Sequence, residues 1–218
     1  MRVAVLVSGR GSNLQALLDA GSAGTLGGAE IVLVLSNVEG AYALERAKGA
    51  GVATEVLSHK AFAGRAAFDA ALVERLRAHR VDLVCLAGFM RIVSPVLLDA
   101  FPQRVLNIHP SLLPSFPGIH GARDAVTHGA RFSGCTVHFV DAGTDSGPIL
   151  VQAVVPVLPG DDEAALAARI LVAEHRIYPE AVRLVASGKV RVEGRTVHVD
   201  GATFPPPAPL VSPLPRRE

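Results

Sequence analysis

Cysteine is scarce in this chain. Its 218 residues include two, Cys85 and Cys135. Two isolated cysteines make neither a disulfide framework nor a zinc pattern. Each lies in an apolar run that reads as a strand, where a buried small hydrophobe is expected. Charge imbalance is also lacking, because the formal net charge is +1. No basic footprint for nucleic acid follows, and no nucleic-acid partner is expected. The opening run Met-Arg-Val-Ala-Val-Leu-Val-Ser-Gly is too short to span a membrane and shows no signal-peptide pattern. A soluble, reduced, cytoplasmic protein without a membrane partner is expected. The eight histidines are scattered without ligand spacing, so no metal is expected. Ser111 lies two residues from His109 but has no nucleophile-elbow pattern around it.

Apolar residues, by contrast, are abundant. They make up 50% of the chain, enough for a large core in one α/β domain. No internal repeat or clear linker divides it. A single domain over 1–200 is expected, followed by a proline-rich tail, 201–218, that reads as extended or disordered.

Residues 2–8 read as a buried strand. Ser8-Gly9-Arg10-Gly11-Ser12-Asn13 follows, and Leu14, Leu17 and Leu18 then recur at helical spacing. The turn is not Gly-x-Gly-x-x-Gly, and no Gly-Lys-Ser/Thr makes it a Walker loop. One reading is a phosphate cradle, in which glycines let amides approach an anion at a helix start. The other is a tight turn with no ligand. Strands at 31–35, 52–57 and 81–87 alternate with helices at 41–50 and 65–79. Gly51 ends the first of these helices. This rhythm predicts a Rossmann-like, doubly wound, mostly parallel sheet with helices on both faces. Ligands then bind beyond the carboxyl ends of the strands. The loop 8–13, the segment 88–93 and the end of the next strand all fall on that edge.

That next strand opens the stretch Val-Leu-Asn-Ile-His-Pro-Ser-Leu-Leu-Pro-Ser-Phe-Pro-Gly, residues 105–118. Side chains alternate with period two, so Asn107 and His109 share a face. Pro110 lacks an amide hydrogen and pushes its predecessor toward extended backbone. The strand should stop at His109, leaving an amide and an imidazole side by side and facing open space. A polar rim and a catalytic pair both fit that tripeptide. Further on, Ser94 caps a helix that begins at Pro95 and runs to about residue 100. A short helix at 121–129 precedes a strand at 133–140. A loop with Asp141 and Asp145 leads to a strand at 149–158. Pro156 makes that strand an edge. Asp161 and Asp162 open a helix of about 25 residues, and 190–199 reads as a hairpin. An acid from the 141–148 loop beside His109 would stabilise an imidazolium. Asn107 and protonated His109 could then donate to a developing oxyanion. This suits direct transfer of an acyl-type group to an external nucleophile.

Four segments carry a resemblance over residues 1 to about 187. They are Val-Ser-Gly-Arg-Gly-Ser-Asn-Leu-Gln, Leu-Ala-Gly-Phe-Met-Arg-Ile-Val-Ser-Pro, Leu-Asn-Ile-His-Pro-Ser-Leu-Leu-Pro and Val-His-Phe-Val-Asp-x-Gly-x-Asp-x-Gly-Pro-Ile. Together they resemble the phosphoribosylglycinamide formyltransferases of purine synthesis, within the folate-dependent formyltransferase superfamily. The resemblance implies 10-formyltetrahydrofolate as co-substrate and glycinamide ribonucleotide as acceptor. Asn107, His109 and Asp145 fall on the catalytic trio, with Asp145 stabilising the imidazolium. Gly11, Ser12 and Asn13 fall on the phosphate grip. Met90, Arg91, Ile92 and Val93 fall on a folate wall, and Arg65 and Asn107 on further folate positions. Glu174 matches a residue near the substrate ribose, against the plain reading of a solvated helix-face charge. His138 matches a supporting position, against that of a packed core histidine. A formyltetrahydrofolate hydrolase would carry an extra N-terminal domain, and a tRNA formyltransferase a C-terminal domain and a basic surface. A nucleotide-binding module without catalysis would leave the trio without purpose. The quaternary expectation is a monomer or homodimer.

Overall fold

The apolar runs become a sheet of seven strands in a computed structural model that describes residues 1–203 and 209–213. The strands are β1 (Arg2–Val7), β2 (Glu30–Ser36), β3 (Ala53–Val56), β4 (Leu83–Leu86), β5 (Val105–His109), β6 (Phe132–Phe139) and β7 (Ile149–Pro156). Their spatial order is β3-β2-β1-β4-β5-β6-β7. The first five pair in parallel, and β6 and β7 add antiparallel partners at one edge. Pro156 is the last residue of the edge strand β7, where a missing N–H costs the ladder nothing. The proline-rich run from Phe204 falls on 204–208, outside the described residues.

Alternation along β1 divides the core in two. Val3, Val5 and Val7 face one side and Ala4 and Leu6 the other, all fully buried or nearly so. The helices are α1 (Ser12–Ser22), α2 (Tyr42–Gly49), α3 (Arg65–Ala78), α4 (Pro95–Ala100), α5 (Gly121–Thr127) and α6 (Glu163–Ala186). Leu14, Leu17, Leu44, Ala125, Leu166 and Val182 place α1, α2, α5 and α6 on the first side. Phe68, Leu72, Leu76 and Leu97 place α3 and α4 on the second. Burial of this kind makes a leucine-to-alanine change at Leu17 or Leu72 cost about 2–5 kcal/mol. The hairpin β8 (Val190–Glu193) and β9 (Thr196–Val199) packs Val190, Val192 and Val197 onto the first core.

The chain runs outward from β1 to β3, then returns to place β4 beside β1. In a sheet of this order, ligands bind at the carboxyl ends of β1 and β4, where the order reverses. No helix of the described residues is long and apolar enough to cross a membrane.

Candidate active site

β5 ends at His109, as its proline neighbour requires. The imidazole does not face open space, however, since His109 is 4% exposed. The loop after Pro110 curls back over it, bringing the Phe116 carbonyl within 3.1 Å of Nε2. Asp145 Oδ2 lies 3.4 Å from Nδ1. Both ring nitrogens thus sit beside acceptors. An imidazolium can donate to both, whereas a neutral ring can donate to one.

Asp145 reaches this position by an unexpected path. Leu106 of β5 pairs with Phe139 of the antiparallel β6, so β6 ends beside the start of β5. The 141–148 loop must fold back along β5 to bring Asp145 to His109. Asp145 takes φ +51° on the way and accepts a hydrogen bond from Gly118 N–H, 2.8 Å. Asp141 instead braces the loop, accepting from Gly143 N–H and Ser146 Oγ–H at 3.0 and 2.7 Å. Of the two acids left open by the residues alone, Asp145 is the one at the histidine.

Asn107 stands opposite His138 across the β5–β6 pair. His138 Nδ1 lies 3.0 Å from the Phe139 carbonyl, which assigns the ring proton to Nδ1. Nε2 then accepts from the Asn107 amide at 3.2 Å. Burial pushes the His138 pKa down, against the Phe139 hydrogen bond and the Asp145 charge, and this suits a neutral acceptor. His138 therefore supports the site and is packed in the core at 2% exposure. It fixes the Asn107 amide, whose second N–H has no partner among the described residues.

The start of α1 supplies the second part. Gly11 takes φ +71°, and a Cβ there would lie 2.6 Å from Ala43 Cβ. Glycine is needed at this point for close packing on α2 as much as for ligand access. Gly11 stands in the cap position with no side-chain cap bond. The first-turn N–H groups at Ser12 and Asn13 therefore have no cap partner, an arrangement suited to an anion. Asn13 Nδ2–H donates to Glu174 Oε2 of α6 at 2.7 Å, across 161 residues of sequence. Glu174 is not a solvated charge, being 6% exposed. Burial pushes its pKa up, against the Asn13 hydrogen bond and the His109 charge. Asn13 Oδ1 is buried without a partner among the described residues.

The segment 88–93 follows β4 at the same strand-end edge. Met90 and Ile92 are 69% and 58% exposed, an apolar surface open to a ligand. Val93 is buried in the second core, so it can offer backbone and not a side chain. Arg91 places its guanidinium 4.6 Å from the Phe68 ring centroid. Arg65 is exposed at the start of α3. The Met90 N–H donates to Ser8 Oγ and the Arg91 N–H to the Phe89 carbonyl, both at 2.8 Å. The N–H groups of Ile92 and Val93 have no partner among the described residues.

Sequence reasoning did not single out some supporting residues. Asp69 is buried on α3 and accepts the Ser94 N–H at 2.5 Å. A carboxylate on the buried stripe of Leu72, Val73 and Leu76 was the available signal. Ser94 occupies the cap position of α4, but its own hydroxyl makes no cap bond and is buried without a partner among the described residues. Thr136 Oγ1–H donates to the Ser111 carbonyl at 2.7 Å, and Gln152 Nε2–H to the Leu113 carbonyl at 2.9 Å. Both hold the loop that covers His109. Neither cysteine offers a nucleophile, since burial pushes both thiols up to about 12.

This arrangement can bind an anion at α1, pack a flat apolar ligand on Met90 and Ile92, and donate to an oxyanion from Asn107 and His109. The formyl transferase family profile matches residues 1–182. Phosphoribosylglycinamide formyltransferase of Escherichia coli (strain K12) is 43% identical, over 94% of this chain and 97% of that protein. The trifunctional purine biosynthetic protein adenosine-3 of Drosophila pseudoobscura pseudoobscura is 54% identical over 87% of this chain, which spans 14% of that protein's length. The crystal structure of glycinamide ribonucleotide transformylase 1 from Symbiobacterium toebii superposes with a TM-score of 0.90. It is 55% identical and covers 91% of this chain and 93% of that one. The chain belongs to the formyl transferase family.

Proposed function

We infer that this chain transfers the formyl group of 10-formyltetrahydrofolate to the amine of glycinamide ribonucleotide, a step of de novo purine synthesis. The products are formylglycinamide ribonucleotide and tetrahydrofolate. The observation that carries this reading is the approach of the Asp145 carboxylate to the His109 imidazole, with Oδ2 3.4 Å from Nδ1. It lies on the sheet edge that also holds the α1 anion cradle and the exposed Met90 and Ile92. Likeness to the Escherichia coli enzyme over nearly its whole length supports the same reading. Residues 1–200 work as one domain, a reading supported by the hairpin packed on the first core.

The ribonucleotide phosphate binds the amides of Gly11, Ser12 and Asn13, and Glu174 turns toward the ribose. The folate packs on Met90 and Ile92, with Arg91, Val93 and Arg65 completing its surroundings. The free N–H groups of Ile92 and Val93 face the polar edge of its ring. The amine lone pair then attacks the formyl carbon, and the carbonyl π pair moves to oxygen. The Asn107 amide and the His109 imidazolium donate to that oxyanion, and Asp145 stabilises the imidazolium. One such donor is worth roughly 2.7–4 kcal/mol of the barrier. Collapse breaks the bond from the formyl carbon to N10. The amine loses a proton, through water toward Asp145, and N10 gains one.

The test is release of tetrahydrofolate from 10-formyltetrahydrofolate with and without glycinamide ribonucleotide. The expected result is release that requires the ribonucleotide. Release without an acceptor would instead identify a hydrolase. No release in either case would leave a nucleotide-binding module.

A further inference from the structure

We propose that Ser8 and Asn37 are positioning residues that lock the segment 88–93 to the strand end carrying the phosphate loop. The proposal rests on the reading of that segment as the folate wall, and assigns what holds the wall in place.

A chain of hydrogen bonds crosses three adjacent strand ends. Asn37 follows β2, Ser8 follows β1, and Met90 lies just beyond β4, and these strands are neighbours in the sheet. Ser8 N–H donates to the Gly88 carbonyl at 3.1 Å. Ser8 Oγ accepts from the Met90 N–H at 2.8 Å and donates to Asn37 Oδ1 at 2.6 Å. A hydroxyl has one proton to give, and here it goes to Asn37, so the lone pairs of Oγ are aimed at Met90. Asn37 is 4% exposed, and its Nδ2 lies 3.3 Å from His59 Nδ1. That ring nitrogen also lies 3.3 Å from the Asn37 backbone carbonyl, so it is the short Ser8 hydroxyl bond that marks the amide oxygen as the group facing Ser8. At the far end of the segment, Asp69 holds the Ser94 N–H.

A loop tied at both ends presents its middle in one geometry. The side chains of Met90 and Ile92 stay exposed, and the N–H groups of Ile92 and Val93 stay free. Binding to a wall already in place avoids the cost of ordering it. Loss of the Ser8 hydroxyl should therefore weaken folate binding while leaving the phosphate grip intact.

The experiment is steady-state kinetics on Ser8→Ala, Ser8→Thr, Asn37→Leu and Asn37→Asp, with hydrogen exchange at the Met90 amide. Ser8→Ala is expected to raise KM for the folate by about 3- to 10-fold, the range of one neutral hydrogen bond. KM for the ribonucleotide should change less than about 2-fold. Ser8→Thr keeps the hydroxyl and Asn37→Asp keeps the acceptor, so both should restore the folate KM. Ser8→Ala and Asn37→Leu together should be no worse than the worse single change, as for one coupled link. A rise confined to the ribonucleotide KM, or no rise in either, would overturn the proposal. Hydrogen exchange separates this proposal from the assigned reaction. Faster exchange at Met90 in Ser8→Ala, by about 10-fold, reports the tie even if the wild-type chain transfers no formyl group. Unchanged exchange would overturn the tie itself.

Discussion

Glu174→Gln should stabilise the fold and impair the enzyme at the same time. The carboxyl group is buried at 6% exposure between α1 and α6 and has one hydrogen-bond donor, Asn13 Nδ2–H at 2.7 Å. Burial raises its pKa, and the Asn13 bond and the His109 charge only partly offset that. A carboxyl whose folded pKa lies above its unfolded value binds more protons when folded. Stability then falls as pH rises from the unfolded pKa to the folded one, and the loss is complete above it. Glutamine keeps an oxygen to accept from Asn13 and removes the charge. An uncompensated buried ion costs several kcal/mol. With the two offsets present, the net gain for Glu174→Gln is on the order of 1 kcal/mol at about pH 8. In a chain of 218 residues this is a rise in Tm of about 2–4 °C. Near about pH 3, where the carboxyl group is largely protonated in both states, the difference should largely vanish. Thermal unfolding at the two pH values reads both effects, and KM for glycinamide ribonucleotide should rise in the same variant. Destabilisation of the variant at the higher pH would show instead that the buried charge is a net source of stability.

Gly11→Ala should destabilise the chain by about 1–3 kcal/mol, from the left-handed backbone at φ +71° and overlap with Ala43. Its KM for the ribonucleotide should rise more than its KM for the folate, as steady-state kinetics would show. Cys85 and Cys135 are fully buried, with thiols pushed up to about 12. A thiol reagent at neutral pH should leave both unmodified in the native protein and modify both in denaturant. Labelling followed by mass measurement decides this, and fast native labelling would contradict the burial.

Much of the site was legible because its parts end strands of a predictable sheet. Pro110 set the end of β5, alternation put Asn107 and His109 on one face, and Pro156 marked an edge. The cover over His109 was not legible, because strand periodicity says nothing of a loop that curls back. The path of Asp145 depends on β6 running antiparallel to β5, a property of the sheet and not of the 141–148 loop. The burial of Glu174 comes from the packing of α6 on α1, and its partner Asn13 is remote in sequence. Ser94 reads as a cap from residue type alone. Asp69 has instead taken the Ser94 N–H from a neighbouring helix, a tertiary contact that local propensity does not report. Asn37 carries no motif at all, and its meaning emerges once β2 lies beside β1.

The central claim is that His109 and Asn107 stabilise the oxyanion of a formyl transfer. It is tested most directly by turnover and ribonucleotide affinity measured together in His109→Asn. Asparagine can still donate a hydrogen bond but cannot carry the charge that Asp145 stabilises. The expected result is a fall in kcat of about 100- to 1,000-fold, with the dissociation constant of glycinamide ribonucleotide within about 3-fold of wild type. Near-normal turnover, or a loss explained wholly by weaker ribonucleotide binding, would contradict it.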